Sequence, residues 1–196
     1  MAEIVITVFI AYAVCRTAFS RDQLKKNWSV IRQYRPIHLV SNLPIIVLTF
    51  IVGIALTLGV PYFEKNPILW LGSWLFDYGN GNGGANVVAT GFQWKWYAVC
   101  FLPVFLFAIP SFAEFEEEKF RKGTMNWKNG TVRSIGFGLA HLIALIPIGV
   151  AFALTIGGLW FTHQYFKGGT ARSTVYHAAY NSILGTFALV MVIVSW

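Results

Sequence analysis

Residues 37–60, IHLVSNLPIIVLTFIVGIALTLGV, form an apolar run that stops at Pro61. At about 1.5 Å of rise per residue, a helix of this length covers the roughly 30 Å hydrocarbon core of a bilayer. Outward from it, further apolar segments read at about residues 4–19, 96–117, 132–146, 148–162 and 171–196. Pro103 and Pro110 interrupt the segment at 96–117, and Pro147 separates 132–146 from 148–162. Composition agrees with membrane spans. Of 196 residues, 56% are hydrophobic and only 12% charged, where a soluble domain carries about a quarter charged residues. The expectation is an all-α, polytopic transmembrane helix bundle of about six membrane segments, with residues 1–196 forming a single integral-membrane domain.

The formal net charge of +7 raises nucleic acid or anionic lipid as partners. The basic residues flank apolar spans, and no basic face studded with aromatics appears, so the reading is membrane lipids and no nucleic acid. Cys15 and Cys100 fall inside apolar spans and form neither a disulfide framework nor a metal-ligand spacing. Residues 1–3 supply no basic stretch ahead of the first apolar segment, which reads as a retained helix and not a secretory signal. Between the second and third segments lie a short amphipathic piece at 68–76 and the stretch Asp77 to Gly84, whose glycines and asparagines mark a loop.

Charge alternation orients the bundle. With the N-terminus outside, the cytoplasmic loops are 16–35, 119–133 and 163–172, and they hold thirteen of the fifteen Lys and Arg residues. Only Lys65 and Lys95 fall on the other side. Enrichment of Lys and Arg on the cytoplasmic side is the orientation rule for membrane proteins. The compact chain suits a prokaryotic plasma membrane.

Three polar patterns stand at the edges of these apolar segments: Glu116-Glu117-x-x-Phe120-Arg121, Phe137-x-x-x-His141 and His177-x-x-x-Asn181. Glu117 and Arg121 are four apart and share a helix face, while Glu116 lies about 100° around from Glu117. Each pattern alone has an ordinary explanation: a solvated charge cluster, a core histidine, an interhelical amide. Together they lie toward the cytoplasmic half of the bilayer, where ionisable groups are costly unless they partner one another. A carboxylate and a neutral imidazole can share a water and take its proton. An amide N–H and a second imidazole can donate to the oxyanion formed when that water attacks a peptide carbonyl. The competing chemistry is a three-ligand zinc site of Glu, His and His, but the chain lacks a His-Glu-x-x-His helix. A serine or cysteine nucleophile lacks its elbow or an adjoining histidine. The reading is no metal and no cofactor.

In this order, EEEKFR, FGLAH and HAAYN (residues 116–121, 137–141 and 177–181) resemble the motifs of the CPBP intramembrane proteases, the CAAX-processing and bacteriocin-processing family. The resemblance covers about residues 96–196 and implies a catalytic core there. It implies a metal-independent glutamic endopeptidase cleaving a membrane-tethered peptide or protein. Carried over by position, Glu116 and His141 activate the water, Glu117 held by Arg121 supports them, and His177 and Asn181 stabilise the oxyanion. Phe137 becomes a packing or substrate-wall residue. Two departures bear on geometry: the connection from Arg121 to Phe137 is short and reads as a loop over 122–130, and Glu118 permits a shifted register in which Glu117 and Glu118 are the working pair. The alternative function is a non-catalytic scaffold, immunity or assembly subunit of a larger membrane complex.

Overall fold

The structure is a computed structural model that describes residues 12, 16, 20–65, 94–144 and 146–194. The expected segment at 4–19, apart from Tyr12 and Arg16, and the stretches at 68–76 and 77–84 lie outside the described residues. The described elements are all helical: α1 (Arg21–Ile31), α2 (Pro36–Gly59), α3 (Trp94–Phe120) and α4 (Trp127–Ala140), the last running into a 3-10 turn at His141–Ala144. The helical stretch Ile148–Val194 breaks at Gly168 and Gly169, whose backbone is non-helical, giving α5 over 148–167 and α6 over 170–194. No strand occurs among the described residues. The described part of the chain is therefore all-α.

Among the described residues, one helix, Pro36–Gly59, is long and apolar enough to cross a membrane, with mean hydropathy 2.4. Its polarity runs opposite to that of a soluble core helix. Asn42, Ile46, Thr49 and Gly53 are buried, a set spaced along one helical face. Ile37, Val40, Val47, Phe50, Ile51, Ile54 and Leu58 are all more than half exposed. So wide an exposed apolar face is out of place in water, and small and polar residues at the helix contacts are the packing pattern of membrane helices.

Several expected boundaries move. The basic stretch 16–35 is not an open loop, because it contains α1. Proline does not interrupt the third segment: α3 runs through both Pro103 and Pro110, as helices do where neighbours satisfy the freed carbonyls. The loop expected over 122–130 shrinks to a turn at 121–126. Gly123, at φ +79°, ends α3 in the left-handed region that suits glycine, and Asn126 caps α4 by accepting from Asn129 N–H at 2.9 Å. The loop expected over 163–170 shrinks to the two-residue break at Gly168–Gly169, since α5 continues through Lys167.

Helices α2, α3 and α4 all pack on the α5–α6 stretch, which forms the spine of the fold. Glycines bring the backbones close. Gly138 lies against Ala151 and Thr155, and Gly149 against Thr57. Helix α1 docks on α3 through polar contacts: Lys26 Nζ to Glu114 Oε2 at 2.6 Å, and Ser111 Oγ to the Oδ1 of the fully buried Asn27. Across the bundle, Asn42 donates to Tyr176 O at 2.9 Å and accepts from Trp160 Nε1 at 2.8 Å, so its buried amide is partnered at both ends.

Candidate functional site

The last turn of α3 carries Glu116, Glu117 and Glu118, and the three point differently, as a 100° step per residue requires. Glu118 lies outward, with 55% of its side chain exposed and Lys122 Nζ 3.4 Å away. Glu117 is fully buried, and Glu116 is largely covered, at 27% side-chain exposure. Glu116 and Glu117 thus face the interior together, while Glu118 points outward and does not pair with Glu117 there.

Glu117 meets three partners. His177 Nδ1 lies 2.8 Å from its Oε1. Ser173 Oγ donates to its Oε2, sharing its single hydrogen with Phe161 O at 2.9 Å. Arg121 Nε stands 3.7 Å from the same Oε2, an ion pair longer than a hydrogen bond. Arg121 itself is fully buried. Its Nη2 donates to Gly158 O at 3.2 Å, and its guanidinium lies over the rings of Phe137 at 4.4 Å, Phe161 at 5.8 Å and Phe120 at 6.0 Å. Those ring faces favour a cation that has left water. Burial pulls the Arg121 pKa below its ordinary value while Glu117 and Glu116 draw it back up, and a guanidinium stays charged throughout.

His177 joins the two carboxylates. Its Nε2 faces Glu116 Oε2 at 3.3 Å, opposite the Nδ1 contact to Glu117. The ring is held flat on Phe161, with centroids 4.2 Å apart and planes 17° apart, and edge-on to Phe137 at 5.4 Å. A neutral imidazole has one N–H, and Glu117 takes it. The remaining contact then needs a proton between Nε2 and Glu116 Oε2. That carboxylate oxygen is buried and makes no hydrogen bond of good geometry among the described residues.

His141 and Asn181 stand apart from this cluster. His141 Nδ1 lies 2.8 Å from Phe137 O; because a carbonyl only accepts, Nδ1 carries the proton and Nε2 of the neutral ring is a lone pair. Its ring is 4.7 Å from Phe137, so Phe137 lies between the two histidines. Among the described residues neither His141 nor Asn181 hydrogen-bonds to Glu116 or Glu117. The structure therefore brings together Glu116, Glu117, Arg121 and His177, and leaves His141 one ring away and Asn181, half-buried, one turn beyond His177 on α6.

Reading the sequence missed Ser173, Phe161 and Gly158. Ser173 had a signal, since it precedes His177 by four and shares its face. Gly158 had none, because its place in the site is its carbonyl and its lack of a Cβ: a Cβ there would sit 3.2 Å from Arg121 Nη2 and 2.9 Å from Ser134 Cβ. Among the described residues no group of three or more His, Cys, Asp or Glu side chains is arranged to hold a metal ion. No protein-family model, curated protein or solved structure matches the chain.

Proposed function

We propose that this protein is an integral-membrane, metal-independent glutamic endopeptidase with about six membrane segments, acting on a membrane-tethered peptide or protein near the cytoplasmic side. The observation that carries it is the Glu117–His177–Glu116 line, a buried carboxylate, an imidazole and a second carboxylate whose Oε2 accepts no good hydrogen bond among the described residues. The reading rests on that chemistry and on the motif resemblance, without support from any family match. Membrane placement draws on the inside-out polarity of α2 and on the charge alternation.

In the proposed reaction Glu116, with His141 offering its Nε2 lone pair, takes a proton from water. The water oxygen bonds to the peptide carbonyl carbon, and the carbonyl electrons move onto oxygen. Asn181 is the donor to that oxyanion, and His177 joins it through Nε2 only in its protonated form, since the neutral ring gives its one N–H to Glu117. The proton held at Glu116 then passes to the amide nitrogen as the C–N bond breaks, giving a carboxylic acid and an amine. Glu117, fixed by Arg121 and Ser173, holds the His177 ring in place. The test reconstitutes the chain with membrane-anchored fluorogenic peptides. Cleavage should resist EDTA and vanish in Glu116→Gln at unchanged thermal stability; full activity in that variant would sink the assignment.

One observation favours a non-catalytic scaffold or complex subunit instead. Glu117, Arg121, Ser173 and His177 tie α3, α5 and α6 together, a clamp that needs no reaction to justify it. A stoichiometric partner on purification, with biological function intact in Glu116→Gln and His141→Ala, would select that reading.

A further inference from the structure

A second polar feature lies away from the carboxylates. The turn between α1 and α2 and the first turn of α6 enclose a cavity of about 380 Å³, lined among others by Arg32, Gln33, Arg35, His38, Arg172 and Tyr176. That volume is within the range of small-molecule sites, at its lower end. No acidic residue lines it among the described residues. Among the described residues none of the three arginines pairs with a carboxylate, although Glu114, Glu117 and Glu118 each pair with a neighbouring cation. Three like charges around one small space repel one another, and no described residue of the lining offsets them.

Two of the donors, Arg172 and His38, are held in place. Arg172 Nε donates to Gln164 Oε1 at 3.0 Å and its Nη2 to Tyr176 OH at 3.3 Å, which fixes the plane of the guanidinium and leaves Nη1 unused. His38 Nδ1 accepts from Arg35 N–H at 3.2 Å, so in the neutral ring the proton is on Nε2, a further donor. The His38 ring packs on Tyr176, with centroids 4.7 Å apart. Val175 and Tyr176, both buried, form an apolar floor. One fixed guanidinium, with two more beside it over such a floor, matches a phosphate group, which takes paired N–H donors.

We infer that this cavity binds a phosphate group, carried either by the headgroup of an anionic membrane lipid or by a free solute. The site lies in the 16–35 and 163–172 regions, where eight of the fifteen Lys and Arg residues stand. Basic pockets between membrane helices on that side are where anionic headgroups are held. Seated there, the anion bridges the α1–α2 turn to the turn of α6 that carries Ser173 and His177 on its other face. The binding does not depend on the protein being a protease.

The test uses the full chain in detergent and in lipid nanodiscs. Inorganic phosphate, against chloride at matched ionic strength, probes the free source by thermal shift. Phosphatidic acid in phosphatidylcholine nanodiscs, against phosphatidylcholine alone, probes the lipid source by native mass spectrometry of retained lipid. Binding of either probe is expected, and the responding arm names the source. Arg35→Gln combined with Arg172→Gln should weaken it at least about tenfold, since hydrogen bonds to charged groups are the strong ones. Should that pair fail to fold, Arg32→Gln alters an exposed side chain that makes no hydrogen bond among the described residues, and it should weaken binding several-fold. The proposal is overturned if neither probe binds the wild-type chain above its control, or if the folded variants bind as the wild type does.

Discussion

His177 Nδ1 lies 2.8 Å from Glu117 Oε1, a buried contact between residues 60 apart in the chain. It joins the last turn of α3 to the first half of α6, and Arg121 closes the cluster from beneath with its guanidinium over three phenylalanine rings. Removing the carboxylate strands a fully buried cation. Glu117→Ala should therefore cost about 3–5 kcal/mol, the range for breaking one half of a buried pair. Denaturant or thermal unfolding in detergent measures it, and wild-type stability in this variant would show that Arg121 does not rely on Glu117.

The two histidines should separate in their effects. His177 is 1% exposed and stacked on Phe161, so His177→Ala should lose both cleavage and at least about 2 kcal/mol of stability, as for a large-to-small core change. His141 is half-buried at the end of α4 and spends one nitrogen on its own helix. His141→Ala should lose cleavage while costing at most about 1 kcal/mol, the worth of one ordinary hydrogen bond. Equal destabilisation by both substitutions would contradict their different settings.

Gly158 sets the floor under Arg121. A Cβ would lie 2.9 Å from Ser134 Cβ and 3.1 Å from Ser134 Cα, atoms of a packed helix that cannot swing aside. Gly158→Ala should cost about 1–3 kcal/mol as overpacking does. Gly136 is the control: the nearest atom to its added Cβ is Phe120 Cε1 at 3.9 Å. Gly136→Ala should be neutral or stabilise by up to about 1 kcal/mol through helix propensity. Thermal midpoints of the two alanine variants give the comparison directly.

The helical class was legible from residues 37–60 alone, because an apolar run of that length has no other common use. The i,i+4 spacing also placed Glu117 beside Arg121, but the motif reading paired Glu116 with His141 and His177 with Asn181, whereas the fold sets His177 between Glu116 and Glu117. What stayed hidden follows from short-range physics. The 16–35 stretch is rich in charge, so its helix is visible only once Asn27 and Lys26 find Ser111 and Glu114 on α3. The turn at 121–126 depends on Gly123 reaching a positive φ and on Asn126 capping α4, both local details that a loop-like composition conceals. The place of His141 depends on how α4 ends, and the sequence does not reveal that its ring would turn back to Phe137 O.

Asn42 offers a test of the inside-out helix. Fully buried, it donates to Tyr176 O and accepts from the Trp160 indole. Asn42→Leu keeps much of the volume but leaves the Trp160 N–H without its acceptor. The expected loss is about 1–3 kcal/mol, the desolvation cost of an unsatisfied buried donor. A quench or shift of Trp160 fluorescence should accompany it, since the indole loses its only hydrogen bond among the described residues. A more stable Asn42→Leu protein would mean that apolar packing outweighs the amide here.

The break between α5 and α6 decides where Ser173 and His177 point. Gly169 sits at φ +66° with nothing within 4 Å of an added Cβ, so crowding plays no part and the backbone conformation alone is at stake. With ψ at −167° this conformation is essentially reserved for glycine, and a side chain there costs roughly 1–3 kcal/mol. Gly169→Ala should pay that cost or escape it by letting α5 run straight into α6, which would rotate Ser173 and His177 away from Glu117. Either response is measurable: a lower melting temperature in the first case, and in the second a loss of cleavage that exceeds the loss of stability. Gly59, which also has open space but an ordinary φ, should accept alanine without either effect. If Gly169→Ala and Gly59→Ala behave alike in both measurements, the break is not what aims the first turn of α6 at the carboxylates.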